Sequence, residues 1–129
     1  MADVNRGKRP LSPFMIGPYY RPQLTSMTSI FTRITGIGLM LGTVLMVWWL
    51  LAAASGSDAF ATADGFITSW FGDLVMTLSV LALWYHTLAG ARHLYWDTGR
   101  GLEIETAEKL GWGVIGGSVV LTLLTILIV

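Results

Sequence analysis

Leu74-Val75-Met76-Thr77-Leu78-Ser79-Val80-Leu81-Ala82-Leu83-Trp84-Tyr85-His86-Thr87-Leu88-Ala89-Gly90-Ala91 is a long apolar run interrupted by one ionisable side chain, His86. At about 1.5 Å of rise per residue, a helix of this length nearly matches the roughly 30 Å of a bilayer's hydrocarbon core. Two further runs, Ile34 to Ala54 and Leu110 to Val129, contain no ionisable residue. The chain of 129 residues is 53% hydrophobic and 12% charged, too little charge to cover the surface of a water-soluble domain of this size. The expectation is an all-α membrane protein with three transmembrane helices, at about 24–54, 66–97 and 106–129. Residues 23–129 then form one membrane domain, and residues 1–22 an N-terminal arm broken by Pro10, Pro13, Pro18 and Pro22.

Net charge is zero, but the charges are unevenly placed. Lys and Arg precede the first apolar run (Arg6, Lys8, Arg9, Arg21, Arg33) and return between the second and third (Arg92, Arg100, Lys109), whereas Ser55 to Asp73 carries only Asp58, Asp64 and Asp73. The positive-inside rule then puts the N-terminus and second loop in the cytoplasm and the first loop and C-terminus outside. The arm has neither the apolar core of a secretory signal nor the Ser-rich, Arg-rich character of a transit peptide, so a bacterial cytoplasmic membrane is the expected location. Without cysteine there is no disulfide, thiolate metal site or iron–sulfur ligand on this chain, and any redox centre must hang on histidine.

Both histidines lie in His86-Thr87-Leu88-Ala89-Gly90-Ala91-Arg92-His93-Leu94-Tyr95-Trp96-Asp97. On a helix, His86, Gly90, His93 and Asp97 fall within about 60° of one another, a face with a ligand atom, a gap and polar ends. One reading of His86 is a plain hydrogen bond to a carbonyl or hydroxyl on a neighbouring helix. The other is an axial ligand for haem iron, with Gly90 making room for a flat group and its propionates turned toward the inner face. His93 lies on the same face about 10 Å along the same helix, so it cannot be the opposite ligand of the same haem. If the iron is six-coordinate through two histidines, the second must come from another polypeptide, which would make the three helices part of a hetero-subunit bundle.

Ser29 and Arg33, at i and i+4, reach the inner end of the first helix at the level of Arg92, His93 and Asp97. Arg33 can snorkel to headgroups and Ser29 can bond a backbone carbonyl. Alternatively, a hydroxyl donor beside a guanidinium suits a small apolar molecule with carbonyl groups, such as a quinone. In the last run Gly113 and Gly117 form a small-xxx-small pair suited to close helix packing.

The chain resembles the cytochrome b membrane-anchor subunits of succinate dehydrogenase, respiratory complex II. The resemblance rests on Arg9-Pro10-Leu11-Ser12-Pro13, on Ser29-Ile30-Phe31-Thr32-Arg33-Ile34-Thr35-Gly36 and on the H-x-x-x-G-x-R-H-x-x-x-D pattern from His86 to Asp97. It implies that His86 is an axial ligand of haem b, shared with a histidine of a smaller anchor subunit, and that Ser29 and Arg33 line a ubiquinone site beside the iron–sulfur subunit. Arg92, His93 and Asp97 then lie in the haem-propionate and quinone neighbourhood. The implied role is to hold a flavoprotein and an iron–sulfur subunit on the lipid bilayer in a succinate:ubiquinone oxidoreductase, with no activity in isolation and no nucleic-acid partner. Thr32 stands where the family often has His, and Phe14 where it often has another. A haem-free scaffold and a small proton-coupled transport subunit using His86 are the rival functions.

Overall fold

The computed structural model describes residues 20–129, so the arm expected at 1–22 falls almost wholly outside the described residues. Four helices follow in order: α1 Leu24–Ser55, α2 Ser57–Ile67, α3 Trp70–Asp97 and α4 Ile104–Ile128. No strand forms within them, and α1, α3 and α4 are each long and apolar enough to cross a membrane. The start of α1, the end of α3 and the start of α4 meet at one end of the bundle. There Arg92 of α3 reaches Thr28 of α1, and Gly111 of α4 faces both.

Local chemistry sets the helix ends. Gln23 and Ser26 form a reciprocal capping box that starts α1. Gly56, at φ 134°, turns the chain where few L side chains could follow. Gly99 and Gly101, at φ 75° and 72°, end α3 and send the chain back into α4. Trp96 closes that turn by donating its indole N–H to the Gly101 carbonyl at 2.9 Å.

Two boundaries differ from the sequence expectation. Residues 66–97 are not one helix: Phe66 and Ile67 end α2, and α3 starts at Trp70. Ser69 makes the break by capping α3, its Oγ accepting from the Gly72 N–H at 3.2 Å. The corner is so tight that a Cβ on Gly72 would collide with the carbonyls of Phe66 and Ile67. At the other end α4 begins at Ile104 rather than near 106, and its first turns carry Glu105 and Lys109 paired at 2.6 Å.

Packing uses small residues. The buried stripe of α4 is Ala107, Gly111, Val114, Ser118 and Thr122, which lets α3 approach closely. A Cβ on Gly117 would lie 2.9 Å from Leu88, whereas one on Gly113 would meet nothing within 4 Å. Within this chain only Gly117 of the expected Gly113–Gly117 pair is a close-approach position, and Gly113 faces open space. Trp84 ties the middle of α3 to α4 by donating to Thr125 Oγ1 at 2.9 Å.

Candidate functional site

α1 and α3 come together around His86. A Cβ on Gly36 of α1 would lie 3.1 Å from His86 Cε1, so a glycine is what lets the ring lie against α1. His86 Nδ1 is 3.1 Å from the Thr32 carbonyl oxygen and 3.3 Å from Thr35 Oγ1. A carbonyl can only accept, so in the neutral ring the proton is on Nδ1 and the lone pair is on Nε2. Among the described residues no hydrogen bond engages Nε2. The two readings of His86 thus fall on different nitrogens of one ring: Nδ1 bonds the neighbouring helix, and Nε2 keeps a ligand's lone pair.

Beyond His86 the same face is open. A Cβ on Gly90 would meet nothing within 4 Å, and His93 and Asp97 are exposed. His93 donates from Nδ1 to the Ala89 carbonyl at 2.7 Å and meets the Trp96 ring edge-on at 5.2 Å.

Arg92 takes another direction, about 120° around α3 from His86 at 100° per residue. It is 4% exposed, held among the three long helices. Its Nη1 donates to Thr28 Oγ1 at 3.2 Å, and its guanidinium carbon is 4.7 Å from the centre of the Trp96 ring. Nε is buried without a partner, and no carboxylate pairs with Arg92 among the described residues. Tyr85 completes this cluster, donating from its hydroxyl to the Thr28 carbonyl at 2.9 Å.

Ser29 and Arg33 do line one cavity. It has a volume of about 640 Å³ and apolar walls from Met27, Ile30 and Pro22. Tyr20 borders it and is fixed by donating to Ser26 Oγ at 2.8 Å, which in turn donates to the Gln23 carbonyl. Thr28, Thr32 and Thr35 donate to backbone carbonyls of their own helix. No such bond engages the Ser29 hydroxyl among the described residues, so it and the exposed Arg33 are the polar groups offered to whatever enters.

Sequence reasoning fixed on ionisable side chains and so missed the groups that orient them. Thr28, Thr32 and Thr35 recur at i, i+4 and i+7 on α1, a polar stripe in an apolar helix that marks the side facing α3. Among the described residues no cluster of three or more His, Asp or Glu could hold a bare metal ion. Haem makes no such demand, since the porphyrin supplies four of the iron's ligands. One neutral imidazole with a free Nε2 and a clear glycine one turn away fits it.

The model of a family described as succinate dehydrogenase/fumarate reductase transmembrane subunits matches residues 5–125. The chain is 55% identical to the succinate dehydrogenase cytochrome b556 subunit of Paracoccus denitrificans, over 99% of this chain and 97% of that one. It is 36% identical to the cytochrome b556 subunit of Rickettsia conorii, over 91% and 90% of the two chains. Against the cytochrome b560 subunit of Reclinomonas americana it is 35% identical, over 90% and 83%.

Proposed function

Because this chain belongs to the succinate dehydrogenase/fumarate reductase transmembrane-subunit family, we propose that it is the haem b-binding anchor of a succinate:ubiquinone oxidoreductase. It holds a flavoprotein and an iron–sulfur subunit on a bacterial cytoplasmic membrane and contributes part of the quinone site. The observation that carries this reading is the ring of His86, with Nδ1 tied to the Thr32 carbonyl, no hydrogen bond on Nε2 among the described residues, and open space at Gly90 one turn along the helix. The names of the relatives, cytochrome b556 and b560 subunits of succinate dehydrogenase, support it.

Bound at His86, haem b supplies one-electron redox chemistry within the membrane. His86 would hold the iron from this chain, and a further histidine would have to come from a smaller anchor subunit, since His93 lies on the same face of the same helix as His86. His93 and Asp97 line the exposed end of that face, where they would neighbour the polar edge of the bound group. Arg92 is turned into the bundle, where its charge acts through the protein interior rather than by direct contact. The basic ends of the helices face the cytoplasm, and α2 with its Asp58 and Asp64, together with Asp73 at the start of α3, lies on the outer side.

The quinone ring enters the cavity beside α1, whose apolar walls take its hydrocarbon surface. The Ser29 hydroxyl donates to one quinone carbonyl. Arg33 stabilises the negative charge that grows on the ring as electrons arrive from the iron–sulfur subunit. This chain has no succinate site, so it turns over nothing alone.

Arg33→Leu tests the assignment in the purified complex. Removing a charge that acts on the reduced ring should lower succinate-to-quinone turnover by about tenfold to a thousandfold, while succinate oxidation by a soluble dye keeps its wild-type rate. Equal loss of both activities would mean failed assembly and would count against a quinone role for Arg33.

A further inference from the structure

We propose that the Thr35 hydroxyl, acting with the Thr32 carbonyl, sets the donor strength of His86 toward iron, making Thr35 a positioning and tuning residue for the redox centre. The proposal rests on the reading of His86 as the axial ligand.

Proton accounting carries the argument. The Thr35 hydroxyl has one hydrogen, and two carbonyls of its own helix lie within reach of it, Phe31 at 2.8 Å and Thr32 at 3.0 Å. Whichever takes that hydrogen, the oxygen faces His86 Nδ1 at 3.3 Å with lone pairs only. The Nδ1 proton is therefore shared between two acceptors, the Thr32 carbonyl at 3.1 Å and the Thr35 oxygen. Acceptors on Nδ1–H push electron density into the ring, make Nε2 more basic and fix the plane of the imidazole. A more basic Nε2 stabilises the ferric state and lowers the potential.

The backbone carbonyl cannot be deleted by a side-chain substitution, but the hydroxyl can. Gly36 brings α1 up to this same edge of the ring, since a Cβ there would lie 3.1 Å from Cε1 and 3.6 Å from Nδ1. α1 thus meets the ligand ring along its Nδ1–Cε1 edge. The residues in this seat are neutral, so the tuning needs no titrating group.

The test is a redox titration of the b-type absorption band, with low-temperature electron paramagnetic resonance of the ferric haem, in the assembled four-subunit complex. Wild type, Thr35→Val, Thr35→Ser and His86→Leu are compared. Thr35→Val should retain the band, titrate at a higher potential and shift the largest g value, whereas Thr35→Ser, which restores a hydroxyl, should match wild type. If the valine variant fails to assemble, Thr35→Ala carries the same expectation. A hydroxyl-free variant with wild-type potential and g values overturns the proposal, as does a serine variant shifted as far as valine. If His86→Leu loses the band while Thr35→Val is unchanged, the ligand assignment survives and only the tuning role falls. If His86→Leu keeps the band, both fall.

Discussion

Arg92 carries a full charge at 4% exposure with no carboxylate opposite it among the described residues. A buried charge is tolerated only where neighbours replace water, and here the replacements are the Thr28 hydroxyl and the face of Trp96. Arg and Lys are not equivalent in such a place, because an ammonium cannot stack on the indole as a planar guanidinium does. Arg92→Lys should destabilise the complex by about 1–3 kcal/mol, the sum of a desolvated cation–π contact and one hydrogen bond. A melting curve of the purified complex would show this, with haem content unchanged. Loss of haem at unchanged stability would instead put Arg92 in direct contact with the propionates. His86 was legible in the sequence as a ligand candidate, but which ring nitrogen remained for a ligand was not. That depends on a carbonyl fifty-four positions away on another helix.

Among the elements, α2 was the least legible. Phe66, Ile67, Trp70 and Phe71 continue an apolar pattern, so the sequence reads as one helix through a corner that exists because Ser69 caps α3. α2 is only 11 residues long and folds back on the end of α1, where Trp49 donates to Asp64 at 3.3 Å and Trp48 meets Phe66 edge-on at 5.8 Å. An indole that pairs its N–H with a carboxylate suits the wet boundary of a membrane. The corner depends on Gly72, since any Cβ there would strike backbone carbonyls that have no rotamer to escape into. Gly72→Ala should therefore destabilise the protein by about 1–3 kcal/mol through overpacking. Gly65→Ala, within α2 and facing open space, should be neutral or stabilise by up to about 1 kcal/mol through helix propensity. Thermal unfolding of the two variants side by side distinguishes a backbone requirement from a general dislike of substitution. The three long spans, by contrast, were legible because length and apolarity alone decide them.

The molecule as a whole buries little of its apolar surface. Ile37, Met40, Leu41 and Val44 of α1 are each about 60% exposed, as suits helices surrounded by lipid or by further helices. Among the described residues, His86, Arg92, Ser29 and Arg33 all lie toward the end where α1 begins, and the opposite half of the α1–α3 seam around Gly42 holds no ionisable side chain, only the hydroxyls of Thr43 and Ser79 among apolar neighbours. His86 lies at the edge of the bundle beside an open glycine, so on the proposed reading the haem is sandwiched between this chain and a neighbouring subunit. The most direct test of that claim is a reduced-minus-oxidised optical spectrum of the purified complex, wild type beside His86→Leu, with succinate as the reductant. The account predicts a b-type band in the wild type and none in the variant. A band of equal size in both, or none in the wild type, would contradict it.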